Sequence, residues 1–151
     1  YLKDYYSGKT KEESYVRYYE EILKMIEIFD NFDVIGHIDY VKRYSPIPWE
    51  DGDHLYGLDL IEEIFKILIE RDKGIEVNTS GYRHVSDAPM PNIDIVKKFH
   101  EMGGRIITIG SDAHHTEGLA YSFDRAIKEL RQAGITYLAK FKDRKPELVS
   151  I

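Results

Sequence analysis

Apolar residues recur along the chain at two alternating spacings, one typical of amphipathic helices and the other of short buried strands. The helical spacing covers the segments 10–29, 58–69, 92–102 and 118–133. Runs of apolar and β-branched residues fall between them and predict strands at 32–38, 75–79, 105–110 and 135–141. Strands that alternate with helices of this length favour βαβ units, so the pattern predicts an α/β fold with a parallel sheet.

Polar residues mark the ends of these predicted helices. Thr10 and Glu13 are spaced as a capping box, in which each side chain satisfies a free backbone N–H of the other residue. Asn92 is placed to cap the third helix, and Gly103 follows its last apolar residue. Periodicity alone leaves open whether the strands form a barrel or an open sheet.

Length and composition narrow the classes of protein to be considered. A chain of 151 residues with 42% hydrophobic content can bury one core, which predicts a single domain. The net charge of -6, with both signs interspersed, is evidence against a nucleic-acid binder. The absence of cysteine excludes disulfides and thiolate metal ligands. No apolar run has the length of a membrane span, so we expect no membrane partner and a cytoplasmic location.

Polar side chains with metal-binding or anion-binding chemistry follow three successive predicted strands. In parallel α/β folds, functional residues gather at the C-terminal ends of the strands. These candidates are His37 at the end of the first strand, Asn78, Ser80 and Arg83 at and after the end of the second, and Asp112, His114 and His115 after the third. We therefore expect one functional edge to which three strands contribute.

Asp112 and His114 are spaced as a possible metal site. Residues two apart in an extended backbone point to the same side, and carboxylate and imidazole suit zinc, manganese or iron. The alternative is that Asp112 caps the next helix and His114 is an ordinary loop residue. Arg83 follows a strand and has the planar fork that binds phosphate in a bidentate manner, although it can equally be a solvated surface residue.

Three motifs in this order resemble the later motifs of the PHP (polymerase and histidinol phosphatase) superfamily, and more narrowly its monofunctional histidinol-phosphatases. They are FDVIGHID at 32–39, EVNTSGYR at 76–83 and IGSDAH at 109–114. The resemblance implies a distorted seven-stranded β/α (TIM-like) barrel with up to three divalent metal ions, zinc, manganese or iron. It also implies hydrolysis of L-histidinol phosphate to L-histidinol and phosphate, a reaction of histidine biosynthesis.

The same resemblance assigns roles to individual residues. His37, Asp112 and His114 match metal ligands of the family, and Arg83 matches an arginine that grips the substrate phosphate. We expect Asn78 and Ser80 to bind substrate beside Arg83. In the reaction that the resemblance implies, Asp112 is catalytic through the metal that it holds. His115 is the only candidate found for a general acid that protonates the leaving alkoxide.

The family's first motif, a His-x-His near its N-terminus, does not occur in this sequence. The resemblance therefore predicts that residues 1–151 form a single segment, the C-terminal half of a PHP-type barrel domain, and that this segment alone is inactive. Two other functions stay open. One is a PHP-type nuclease or nucleotide phosphoesterase, against which the acidic balance counts for a polymer substrate. The other is a non-catalytic β/α segment. We expect a small phosphorylated substrate, and the oligomeric state stays open.

Overall fold

A computed structural model describes residues 2–84 and 86–151 of the chain. Its α-helices are α1 (Leu2–Tyr6), α2 (Lys11–Ile28), α3 (Leu58–Glu70), α4 (Ile93–Glu101) and α5 (Phe123–Gln132). Its strands are β1 (Val34–Ile35), β2 (Gly74–Asn78), β3 (Ile107–Gly110), β4 (Tyr137–Lys142) and β5 (Lys145–Ser150). Short 3-10 helices at Tyr40–Tyr44, Asp53–Leu55, Thr79–Arg83 and Thr116–Gly118 lie in the connections.

The first three strands form a parallel sheet in the order β1-β2-β3. A helix connects each strand to the next, α3 between β1 and β2 and α4 between β2 and β3. This arrangement confirms the α/β fold that the alternating pattern predicted. The described residues form no closed barrel, because the three parallel strands and a separate two-stranded sheet are their only sheets.

The capping box that starts α2 is present as the sequence predicted. The Thr10 side chain accepts from the Glu13 backbone N–H at 3.2 Å, and Glu13 accepts from the Thr10 N–H at 2.7 Å. Part of the predicted apolar stripe is buried, including Tyr15, Tyr19 and Ile26. Met25 and Phe29, which belong to the same stripe, are exposed. The buried face of α2 therefore covers a narrower arc than the hydrophobic pattern predicted.

The core lies between the helices and one face of the parallel sheet. Ile75 and Val77 of β2 are fully buried on this face. Phe65 of α3 and Phe99 of α4 pack edge to face with their ring centroids 5.0 Å apart, a favourable aromatic geometry. Because side chains alternate along a strand, Glu76 projects from the opposite face of the sheet. That second face leads to the edge where the candidate residues lie.

Two predicted elements are shorter than the sequence indicated. The first strand was predicted at 32–38, but only Val34 and Ile35 pair with β2, and His37 has a left-handed backbone with φ of 56°. Such a conformation cannot continue a strand. The helix predicted at 118–133 begins only at Phe123, because Ala120 and Ser122 also have positive φ angles. His37 therefore lies in a turn after β1, and a second turn separates α5 from the loop that carries His114 and His115.

The last predicted strand belongs to an antiparallel hairpin, which the sequence did not predict. β4 pairs with β5 along its whole length and is not hydrogen-bonded to the parallel sheet. Asp143 and Arg144 form the turn with φ angles of 51° and 61°, the left-handed values that a two-residue hairpin turn favours. Arg144 also donates to both carboxylate oxygens of Asp33 at 2.9 and 3.1 Å. The hairpin turn is thus tied to the N-terminal edge of the sheet, away from the candidate residues.

None of the helices in the described part of the chain combines the length and the apolar composition that a membrane crossing needs.

Candidate functional site

The candidate residues follow the C-terminal ends of the three parallel strands. His37 lies two residues after β1, the 3-10 helix Thr79–Arg83 follows β2 directly, and Asp112 lies two residues after β3. Because the strands are parallel, these three segments leave the sheet at the same edge. The structure thus places them on one rim, as the sequence predicted.

The carboxylate of Asp112 has two basic side chains nearby. Its Oδ1 lies 3.8 Å from Nε2 of His114, and its Oδ2 lies 3.4 Å from Nη1 of Arg43. Asp112 has a φ of 49°, a left-handed backbone that aspartate tolerates better than most residues. The turn brings a carboxylate and an imidazole together, and it also brings in an arginine that the sequence analysis did not select.

His37 is held by aromatic contacts at the end of β1. Its ring lies 4.9 Å from that of Tyr40, and its backbone carbonyl accepts a hydrogen bond from the Tyr18 hydroxyl at 2.8 Å. Its Nδ1 is buried and has no hydrogen-bond partner among the described residues. A buried ring nitrogen without a partner is costly unless a ligand or proton partner completes it.

The donor set fits a divalent cation in kind but is incomplete in number. Imidazole nitrogen and carboxylate oxygen suit zinc and similar ions. Residues 2–84 and 86–151 nevertheless contain no group of three or more His, Asp or Glu side chains arranged to hold one ion. Asp112 and His114 form a pair, and the open Nδ1 of His37 is a further donor at the same rim.

Arg83 is attached to the turn that carries Asp112. Its Nη2 donates to the backbone carbonyl of Ser111 at 3.0 Å, and its guanidinium lies 4.6 Å from the centre of the Tyr121 ring. The side chain is exposed, so several of its N–H groups remain available for a ligand. Arg83 therefore has a fixed position and open donors, which is what bidentate recognition of an anion requires.

Asn78 and Ser80 are buried rather than open to the rim. The Asn78 side chain accepts from the Ser80 backbone N–H at 3.0 Å and donates to Glu76 at 3.2 Å. The Ser80 hydroxyl is buried and lacks a hydrogen-bond partner in the part of the chain that the structure describes. Asn78 thus starts the 3-10 helix that carries Arg83, and direct substrate contact by either residue stays a prediction.

His114 and His115 occupy the exposed part of the loop after β3. The exposed fraction of the His114 side chain is 78%, and His115 is also exposed. His115 directly precedes the 3-10 helix Thr116–Gly118. A role of His115 as general acid stays a prediction.

A cavity of about 390 Å³ has positively charged residues in its wall, one of which, Arg43, contacts Asp112. Arg43, Arg83 and His84 contribute to the lining, and Pro46 and Trp49 form part of an apolar side. Burial lowers the pKa of His84, and the charges of Arg43, Arg83 and Lys42 lower it further. The positive charges of Arg43, Arg83 and Lys42 at this cavity favour the binding of an anion.

Asp39 belongs to the same sequence motif as His37, but it is buried and holds the fold together. Asp39 and Lys42 are both almost fully buried and form an ion pair of 2.7 Å. Asp39 also accepts from the Asn92 backbone N–H at 3.2 Å, and Lys42 donates to the Pro89 carbonyl at 2.9 Å. These bonds fix the 3-10 helix that presents Arg43 against the loop before α4.

Arg43 and His84 are two basic residues of this cavity that the sequence analysis did not select. Arg43 lies in the connection after β1, just as Arg83 lies in the connection after β2. The rule that selected Arg83, a basic residue shortly after a strand end, would also have selected Arg43. His84 carried no such indication beyond being next to Arg83.

Comparison with known proteins gives similarity to the PHP domain and to histidinol-phosphatases. The family model described as "PHP domain" matches residues 1–80. The chain is 33% identical over 132 residues to a probable histidinol-phosphatase of Clostridium acetobutylicum, covering 85% of this chain and 50% of that protein. It is 30% identical over 142 residues to the histidinol-phosphatase of Lactococcus lactis, covering 94% of this chain and 52% of that protein.

A solved structure is similar to almost the whole chain. It is histidinol phosphate phosphatase from Lactococcus lactis, in complex with zinc, L-histidinol and phosphate, with a TM-score of 0.81 and 29% identity. The similarity covers 95% of this chain and 54% of that protein. The chain thus spans about half the length of these relatives.

Proposed function

Because this chain belongs to the PHP domain family, we propose that its protein is a metal-dependent phosphomonoesterase that hydrolyses L-histidinol phosphate to L-histidinol and phosphate. The main support for the proposal is that side chains suited to metal ions and side chains suited to anions meet at the same rim. Asp112 lies near His114, and it also contacts Arg43, which lines the basic cavity together with Arg83. The identity of the substrate is inferred from the names of the relatives.

The chain would form the C-terminal half of a single barrel domain. Parallel strands connected by helices, as in β1 to β3, are the units from which a distorted seven-stranded β/α barrel is built. The similar solved structure extends well beyond the part that this chain matches. The remaining strands would pair with the free edge of β1, since β4 lies against β3 on the other side of the sheet. Closing the barrel would also cover sheet edges that otherwise favour association with other chains.

Asp112, His114 and His37 would hold divalent metal ions, together with ligands from the rest of the protein. Up to three ions are expected in the complete domain, and the solved relative contains zinc. When bound, such ions acidify a water molecule and neutralise charge on phosphate oxygens. The positive φ of both His37 and Asp112 turns their side chains out of the strand direction at the rim.

The phosphate group would be held by the arginines of the cavity. Arg83 would donate two parallel hydrogen bonds, and Arg43 would move its guanidinium from Asp112 to the phosphate. Their charge opposes the negative charge that develops on the phosphoryl oxygens in the transition state. Asn78 and Ser80 would support this subsite. His115, in the exposed part of the loop after β3, would donate the proton that the leaving alkoxide needs.

The direct test is phosphate release by the full-length protein. After removal of metal, we expect no hydrolysis of histidinol phosphate, and hydrolysis should return on addition of manganese or zinc. Nucleoside monophosphates and single-stranded DNA serve as competing substrates. Preference for either of them over histidinol phosphate would contradict the proposed substrate, and activity without metal would contradict the proposed chemistry.

Replacing Arg83 with alanine in the full-length protein should raise KM and lower kcat/KM by about ten- to a hundredfold. This corresponds to the loss of charge-assisted hydrogen bonds worth about 1.5–3 kcal/mol. Arg83→Lys should recover only part of the loss, because it keeps the charge but not the fork. Arg105→Ala, which removes an exposed arginine before β3, is the matched control. Unchanged kinetics in Arg83→Ala would show that this arginine is only a surface residue.

A further inference from the structure

The carboxylate of Glu76 occupies a space that two neighbouring strands leave open for it. Glu76 lies in the middle of the central strand β2, on the face opposite to the core residues Ile75 and Val77. A methyl group placed on Gly36 would lie 3.0 Å from Glu76 Oε2, and one on Gly110 would lie 2.3 Å from Oε1. The carboxylate therefore lies between the two flanking chain segments, and a side chain on Gly110 would displace it.

This position is directly beside the two turns that carry the proposed metal ligands. Gly36 immediately precedes His37, and Gly110 lies two residues before Asp112. Side chains in strands lean along the strand direction, which carries the Glu76 carboxylate towards the functional rim. A single negative charge thus lies where the ligand-bearing segments leave the sheet on either side.

Glu76 has less compensation than a partly buried carboxylate usually has. The Asn78 amide at 3.2 Å is its one side-chain hydrogen-bond donor within the described ranges. No lysine or arginine forms an ion pair with it in that part of the chain. Carboxylates removed from water normally have a cationic partner or several donors. The Glu76 carboxylate therefore has unused capacity to interact with a cation or with further N–H donors at the rim.

We propose that Glu76 supports the candidate metal site, its negative charge strengthening the binding of divalent cations by the His37 and Asp112 turns. The inference rests on the proposed function. In this proposal the direct ligands come from the two turns, and Glu76 acts from the strand between them. It acts as an outer carboxylate, either on the cation through space or as the acceptor for the N–H of a ligating imidazole.

A purely structural role makes a different prediction, because Glu76 also holds Asn78. Asn78 caps the 3-10 helix that carries Arg83, so losing this contact would disturb the phosphate subsite. Glu76→Gln separates the two roles. The glutamine carbonyl still accepts from the Asn78 amide, whereas the negative charge is lost. If only the contact matters, Glu76→Gln will behave as the unchanged protein does.

The experiment titrates Mn²⁺ into the metal-free full-length protein and measures binding by calorimetry. We expect Glu76→Gln to raise the Kd for Mn²⁺ by about ten- to a hundredfold, the usual effect of losing an outer-shell partner. The melting temperature of the metal-free protein should stay unchanged. Glu63→Gln makes the same chemical change at an exposed position of α3 and should leave the Kd unchanged.

A second variant reaches the same carboxylate from the neighbouring strand. Gly110→Ala should displace the Glu76 side chain and weaken Mn²⁺ binding, but it should add nothing in a Glu76→Ala background. An unchanged Kd in Glu76→Gln overturns the inference, as does a Gly110→Ala effect that persists without Glu76. If the unchanged protein binds no Mn²⁺ at all, the proposed function fails first and the inference with it.

Discussion

Replacing Asp112 with asparagine in the full-length protein should lower kcat/KM for histidinol phosphate by more than about a hundredfold. Loss of an outer-shell partner alone costs about ten- to a hundredfold in metal affinity or activity, and a direct ligand should cost more. Asparagine keeps the size of the side chain and tolerates the left-handed backbone at this position, where φ is 49°. The substitution therefore removes the charge with little strain.

The measurement is steady-state phosphate release together with the metal content of the purified protein. Asp112 also lies 3.4 Å from Arg43, so the variant alters the contacts of an arginine as well as the proposed ligand set. Arg43→Ala distinguishes these effects, since it should change KM without loss of metal. Asp30→Ala, at an exposed position before β1, is the control for removing one carboxylate. Near-normal activity and metal content in Asp112→Asn would contradict its role as a ligand.

The parts of the fold that were predictable from sequence depend on local interactions. The capping box at Thr10 and Glu13 involves residues three apart, and the Asn92 cap acts within its own turn. The alternation of helices and strands was predicted correctly for the same reason. β5 was missed because its residues Lys145–Ser150 are all exposed and include a proline, so no alternating apolar pattern indicates a strand. Its partner β4 supplies the pairing that its own sequence does not predict.

The rim of the site was predictable because the C-terminal ends of parallel strands share one edge. That rule placed His37, Arg83 and Asp112 together without any knowledge of distances. It could not predict which side chains would meet across the rim, since Arg43 and Asp112 are 69 residues apart in sequence. Nor could it separate Asp39 from its neighbour His37, because only the fold shows that Asp39 is buried against Lys42.

The second prediction with a large expected effect is the phosphatase activity of this chain without the rest of the protein. We expect the isolated 151-residue chain to release phosphate from histidinol phosphate at less than about a hundredth of the rate of the full-length protein. The described residues bring no three metal-binding side chains together. A water molecule bridging two well-held cations is acidified by both of them, whereas one weakly held cation leaves it largely protonated and poorly positioned.

The same reasoning predicts complementation. The rest of the protein, supplied as a separate polypeptide, should pair with the free edge of β1 and restore both metal binding and phosphate release. Each half alone, with manganese or zinc in excess, is the control. When the complementing half is mixed with the Asp112→Asn chain, the two should associate but stay nearly inactive, because assembly does not replace the missing carboxylate. Full turnover by the isolated chain would show that its own residues complete the metal site, and the proposed ligand set would then be wrong.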